Sequence, residues 1–349
     1  MTRFDRYLIR TLFMTTLISV TFLLIIDFLL QSADQASDIG QNNYTVAIMV
    51  VSQIYQLPEK LLLFAPAATL IGAIMGLGQL ASQNEIAIVL ASGVSRLRLV
   101  RGGLILATII GLCLLLLGES TAPRLAAKGE LLRSQALGQS ATLTAQEGMW
   151  LNDHGTMTRI GNVNPDGSIS DLLRITPEKN QTTIQQANKA TYENGRWLLT
   201  DSRSLTIDKD NASPKPGATE WSNNIAPQDI SYLFQQNSHP GLIERYRQIQ
   251  FLKNNGLNYQ EHSLAFWQKL FLPLTILTMV LLALPLAFSR GRSAHQGTRL
   301  VIGILLGVAF YICQGILTNF ALILGWPPFL GALLPIIIFA IPALIVLKG

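Results

Sequence analysis

Only 13% of the residues of this 349-residue chain are charged, and few of them lie in its apolar parts. The few that lie there are the first candidates for chemistry. Asp27 falls near the end of the first apolar stretch. Glu119 closes the third, and Arg124, Lys128 and Arg133 follow it. Gln314 and Asn319 lie in the fifth. A carboxylate at membrane depth is costly and faces a bundle interior or a cavity. Asp27 therefore suits a packed interhelical partner and a lumen-lining position equally. Lys128 and Arg133 suit phosphate groups, lipid headgroups or a neighbouring acid. An intramembrane enzyme needs a clustered acid–base pair or a metal site, and Asp27, Glu119 and His262 are scattered instead. His154 sits in turn chemistry with no second ligand at metal-binding spacing. Cys113 and Cys313 both fall in apolar runs and read as small core residues. No G-x-x-x-x-G-K-[ST] string occurs, so no P-loop cradles ATP here. If the chain drives transport, its energy comes from a partner.

Ser82-Gln83-Asn84-Glu85 has the form of a capping box, in which the serine accepts from the helix start and the glutamate reaches back. Ile86, Ile88, Val89 and Leu90 follow, and Gly93 suits a helix stop. The spacing predicts a short helix over about 82–95. Glu85 is either that cap or part of a docking element for a partner.

The elements that position these groups follow from hydropathy. Six apolar runs of membrane-spanning length are predicted at 12–30, 61–81, 99–117, 267–288, 301–322 and 329–347. The first is too long for the h-region of a cleaved signal peptide. Arg3, Arg6 and Arg10 precede the first run. Arg96, Arg98 and Arg101 lie between the second and third, and Arg290, Arg292 and Arg299 between the fourth and fifth. Lys348 follows the sixth. With six spans all of these share one side, while the opposite short loops hold Asp34, Asp38, Glu59 and Lys60, or no charge at 325–328. The positive-inside rule predicts cytoplasmic termini and an external middle segment. The net charge of +5 thus marks membrane ends, not nucleic-acid affinity.

Between the two groups of spans lies a polar segment, 136–258, with recurrent turn chemistry. Asn152-Asp153-His154-Gly155, Asn164-Pro165-Asp166-Gly167 and Glu193-Asn194-Gly195 are flanked by Thr, Ile, Leu and aromatic residues. Such turns between short strands predict an inserted all-β domain, a sandwich or jelly roll. Its edge strands can template pairing with another chain. The expected fold is an α-helical membrane protein with three helices at 1–135, the β domain at 136–258 and three more helices at 259–349.

A set of strings runs through the chain in order: Leu57-Pro58, Phe64-Ala65-Pro66, Gly76-Leu77-Gly78, and Glu85 through Ala91-Ser92-Gly93. Next come Gly118-Glu119, Ala122-Pro123, Arg133-Ser134-Gln135-Ala136 and Glu147-Gly148-Met149-Trp150. Trp267-Gln268-Lys269 with Pro273, then Pro327-Pro328 and Gly331-Ala332-Leu333-Leu334-Pro335, complete the set. On this order and spacing, over its whole length, the chain resembles the bacterial LptF/LptG permeases of lipopolysaccharide export. The Trp150 string and the double proline lean toward the LptG side.

The resemblance implies an inner-membrane, multi-pass subunit with a periplasmic β-jellyroll. It implies an LptF-like partner in a heterodimer, an LptB-like ATPase dimer that hydrolyses the ATP, and an LptC-like bridge protein. The chain itself would bind no cofactor and catalyse nothing. Lipopolysaccharide would enter a central cavity from the outer leaflet and pass to the bridge. Glu85, with Ser82 and Arg96 beside it, matches the helix that docks the ATPase. Arg133 matches a basic residue at the cavity mouth, and Lys128, Lys269 and Asp27 complete the expected lipopolysaccharide contacts. The chain departs from the family's pattern just beyond the first helix, where lysines can stand. Here the stretch is Ala36-Ser37-Asp38. Other readings are an LptF-type subunit of the same transporter, or a scaffold that transmits motion and carries no lipid.

Overall fold

The computed structural model describes residues 3–93, 96–138, 143–153, 156–164, 166–177, 181–193, 196–208, 211–217, 219–221, 240–254, 257–288 and 296–348. Its helices are α1 (Arg3–Gln35), α2 (Val46–Ser82), α3 (Glu85–Ala91), α4 (Arg96–Ala136), α5 (Leu242–Asn254), α6 (Gln260–Leu270), α7 (Leu272–Phe288), α8 (Gln296–Ile323) and α9 (Pro328–Lys348). A short 3-10 turn, Ala36–Asp38, follows α1.

Among the described residues five helices, α1, α2, α4, α8 and α9, are long and apolar enough to cross a membrane. The pair α6 and α7 passes the same test together, bent by 55°. The expected fourth span was a single run from Trp267. Instead it begins at Gln260 and breaks after Leu270. Pro273 explains the break: it has no N–H to give to the carbonyl four residues back, in α6.

α2 has 37 residues and α4 has 41. At 1.5 Å per residue they reach about 55 and 60 Å, against a hydrocarbon core of about 30 Å. Both therefore continue past the expected spans, 61–81 and 99–117. The extensions pack on each other. A Cβ on Gly129 of α4 would stand 2.6 Å from the Ser52 carbonyl oxygen of α2. Glu59 and Lys60, expected in a loop, are consequently helical residues of α2.

The helical core forms around α7, which packs against α2, α4 and α9. Ile276, Met279, Val280, Ala283 and Leu284 of α7 are buried with Leu70, Ala73, Leu77 and Leu80 of α2 and Leu106 and Ala107 of α4. α1 lies on α2 at close range. Thr15 donates to the Gly72 carbonyl at 2.7 Å, and Ser19 to the Thr15 carbonyl at 2.8 Å, so these hydroxyls are satisfied in apolar surroundings. The rest of α1 and most of α8 expose large apolar side chains, among them Leu17, Phe22, Ile25, Leu305, Ile312 and Ile316.

The insert is an antiparallel half-barrel sheet. Its strands are β1 (Leu143–Asp153), β2 (Thr156–Val163), β3 (Ile169–Pro177), β4 (Gln181–Glu193), β5 (Arg196–Asp208), β6 (Asn211–Pro216) and β7 (Glu220–Trp221). They run as a meander, β1 to β6 in sequence order, with β7 on β5. The 164–167 turn forms as its residues require. Gly167 has φ +79°, and Asp166 accepts from the Ser168 N–H and hydroxyl at 2.9 and 2.6 Å. Those bonds hold the Asp166 carboxyl below the usual carboxylate range. Asp153 pairs with Thr156 and Glu193 with Arg196 across the other two turns. His154 and the Asn194-Gly195 step lie outside the described residues.

One sheet layer cannot bury its inner face alone. The cover is α5, inside the segment expected to be all β. Leu252, with Phe251, Leu257 and Tyr259, packs on Ile160, Ile169, Leu172, Trp197 and Trp221. Helical spacing of the apolar Tyr246, Ile249 and Leu252 was the available signal.

Candidate functional site

Functional candidates gather at the two ends of the bundle. At the end away from the sheet, α3 follows α2 after a two-residue turn with Asn84 at φ +60°. The Ser82 side of the capping box is not made. Its hydroxyl donates back to the Gln79 carbonyl at 2.8 Å, because α2 runs through Ser82 and claims it. Glu85 is instead reached by α1: the Tyr7 hydroxyl donates to its Oε1 at 3.2 Å. The other carboxylate oxygen, Oε2, is buried without a hydrogen-bond partner among the described residues. An orphaned carboxylate oxygen is a waiting acceptor. Ile86 anchors α3 in the core, and Ile88 stays exposed beside Glu85. Arg96 is the first residue of α4.

At the sheet end, Asp27 finds partners within the chain. Lys60 of α2 stands 3.6 Å away, and Gln31 donates to it at 2.9 Å. Asp27 thus has a packed interhelical partner, and its side chain remains 21% exposed. Lys128 is exposed on α4. Arg133 pairs with Asp38 at 3.1 Å, and its Nε is buried without a partner among the described residues. Sequence reasoning treated Asp38 as a departure near the site; it did not foresee that this residue takes the guanidinium.

Lys269 is drawn into a joint. Its ammonium donates to the Pro240 carbonyl at 2.9 Å, just before α5. Glu119, midway along α4, accepts from the Leu242 N–H and from the Ile243 N–H, the latter at 3.1 Å. These are unpaired first-turn donors of α5, so Glu119 caps that helix from a distant part of the chain. A Cβ on Gly241 would stand 2.8 Å from the Glu119 carbonyl oxygen, and this closeness requires glycine there. Burial pushes the Arg245 guanidinium of α5 below its ordinary value, although it stays a cation. α5 thus ties the spans at one end and the sheet core at the other. Glu119→Ala is expected to cost about 1–2 kcal/mol as a lost cap. Hydrogen exchange at the Leu242 and Ile243 amides should quicken while that of the sheet stays slow.

Among the described residues no group of three His, Cys, Asp or Glu side chains can hold a metal. An apolar cleft of about 130 Å³ between α1, α2 and α4 is lined by Phe13, Leu17, Ala65, Ala68, Ile110 and others. It is far smaller than a multi-acyl lipid, since even a drug-sized site needs about 300 Å³.

Residues 6–349 match the family described as lipopolysaccharide export system permease LptF/LptG. The chain is 28% identical over 338 residues to the lipopolysaccharide export system permease protein LptG of Escherichia coli K12, covering 95% of this chain and 94% of that one. To the protein of the same name from Haemophilus influenzae it is 27% identical over 344 residues, covering 97% and 96%.

Proposed function

The chain belongs to the LptF/LptG family of lipopolysaccharide export system permeases, and from that premise we propose that it is the LptG-type membrane subunit of an ATP-driven lipopolysaccharide exporter. It sits in the inner membrane with both termini cytoplasmic and the half-barrel in the periplasm. The distribution of Arg and Lys among the short loops supports that orientation. The chain hydrolyses nothing itself; an LptB-like ATPase dimer supplies the work.

The observation that carries this reading is Glu85. Its buried Oε2, without a partner among the described residues, lies on a short helix at the end that charge placement assigns to the cytoplasm, and Tyr7 holds the other oxygen. A cation from the ATPase would complete it once docking opens access to this oxygen, with charge-assisted strength. The exposed apolar faces of α1 and α8, with the open apolar concavity along Leu17, Ile18, Thr21, Phe22 and Ile25 of α1, would wall a cavity shared with an LptF-like partner. The half-barrel, with its β1 edge, would pass the lipid on to an LptC-like bridge.

Glu85→Ala in the reconstituted transporter tests the reading. Truncating one partner of such a charge pair costs about 2 kcal/mol or more, roughly a thirtyfold loss. ATP-driven release of lipopolysaccharide from vesicles should fall accordingly, while insertion of the subunit stays normal. Release at the unaltered rate overturns the assignment.

A further inference from the structure

Arg133 and Asp38 face each other from separate elements. Arg133 is in the last turn of α4, and Asp38 ends the 3-10 turn after α1. Their N–O distance is 3.1 Å, and each side chain is 29% exposed. The pair is therefore half-covered yet reachable from solvent. Arg133 spends one donor of its Nη2 on Asp38. A guanidinium carries five donors in a planar fork. No second bond from Arg133 is found among the described residues, and its Nε is unpartnered. The contact is a single prong, not the two-pronged grip a guanidinium gives a carboxylate or phosphate at full strength.

The corner that holds the two residues does not depend on their pairing. The Asn43 N–H donates to the Ala136 carbonyl at 3.0 Å, and the Asn42 amide to the Leu137 carbonyl at 2.6 Å. The Gly40 N–H donates to the Tyr44 carbonyl at 3.0 Å, and the Tyr44 hydroxyl to Gln35 at 2.8 Å. Tyr44, Met49 and Ala136 form a small buried core beneath. Backbone and core fix the positions, so the ion pair is free to exchange partners.

We infer that Asp38 is a built-in competitor for Arg133: its carboxylate and the phosphate of a lipid headgroup exchange on one guanidinium, so Asp38 sets how long the rim holds a phosphorylated lipid. This rests on the reading of Arg133 as a lipopolysaccharide contact. A partly exposed carboxylate pair is weak, so it yields to a phosphate. A phosphate brings up to two charges and three acceptor oxygens to the same fork. When it leaves, Asp38 takes the guanidinium back at no cost in buried unpaired charge. A neutral headgroup has nothing with which to displace the carboxylate. Asp38 thus favours phosphorylated cargo and at the same time limits its residence. A carrier gains from such a limit, since binding must be weak enough to leave.

The test measures dissociation of lipopolysaccharide from the full transporter complex in nanodiscs, with native and phosphate-stripped lipid. Asp38→Asn keeps the side-chain shape and removes the charge. It should prolong retention of the phosphorylated lipid by roughly two- to fivefold, the range that a part-exposed ion pair allows. Asp38→Glu should restore the original rate. In an Arg133→Gln background the Asp38→Asn effect should vanish. An unchanged rate in Asp38→Asn overturns the inference, as does an equal change with phosphate-stripped lipid. If Arg133→Gln shortens retention and Asp38→Asn does nothing, only the competition fails. If Arg133→Gln itself leaves retention unchanged, the headgroup reading of Arg133 fails with it.

Discussion

Gly72→Ala should destabilise the packing of α1 on α2, while Gly78→Ala on the same helix should not. A Cβ at Gly72 would stand 2.6 Å from the Thr16 backbone nitrogen and 2.7 Å from its Oγ1. Backbone atoms of a neighbouring helix cannot turn aside as a flexible side chain does. The same approach brings Thr15 to within 2.7 Å of the Gly72 carbonyl, so both the contact and the hydrogen bond are lost as the helices part. Overpacking of this kind costs about 1–3 kcal/mol. At Gly78 nothing lies within 4 Å of the added methyl. There the change gains up to about 1 kcal/mol of helix propensity. Thermal melting in detergent, with cysteine crosslinking between α1 and α2, should therefore move in opposite directions for one chemical substitution. A fall of equal size in both variants would refute the close-approach account. Function should follow: α1 carries Tyr7, so an α1 displaced from α2 also releases its grip on Glu85.

Trp197→Ala is expected to be the most damaging single change in the sheet. Trp197 is fully buried and stands opposite the equally buried Trp221 in the β5–β7 ladder. Its ring centroid lies 5.8 Å from that of Trp221 and 5.2 Å from that of Tyr192. The Arg174 guanidinium sits over Trp221 at 5.7 Å, which lids the cluster. Truncation removes one of the two largest side chains of a single-layer core, at a cost of about 3–5 kcal/mol. Limited proteolysis should show early cutting within residues 143–254, while the spans stay protected by detergent. An unaltered cleavage pattern would mean that α5 and the remaining aromatics suffice to close the half-barrel.

The sequence made the spans legible because membrane solvation demands long apolar runs, and 12–30, 301–322 and 329–347 lie inside α1, α8 and α9. Turn chemistry at Asn164–Gly167 was equally readable, since φ > 0 at Gly167 is a local demand. The extensions of α2 and α4 were not readable from hydropathy. Beyond the apolar run they are held by mutual packing, as at Gly129 and Ser52, and not by lipid. α5 was hidden for a related reason: its start is capped by Glu119, far away in the chain. Ser82 misled because the box is defined by spacing alone, and nothing in Ser-x-x-Glu says that α2 will run through its serine. Glu85 and Arg133 were singled out by residue type and by family likeness. Their in-chain partners, Tyr7 and Asp38, are 78 and 95 positions away and appear only in three dimensions.

The placement of α7 at the centre of the bundle sets a timetable for making the protein. α2 and α4 emerge from the ribosome well over a hundred residues before the helix that fills the space between them. At about 5–20 residues per second that interval is on the order of ten seconds. Throughout it, Leu70, Leu77 and Leu106 have only lipid or an insertion factor to face, and Glu119 waits for a helix not yet synthesised. The half-barrel, a meander of neighbouring strands, has no such wait for its ladders: each strand finds its partner as soon as the next turn is made. The polar domain can begin to form while the membrane domain that precedes it is still unfinished.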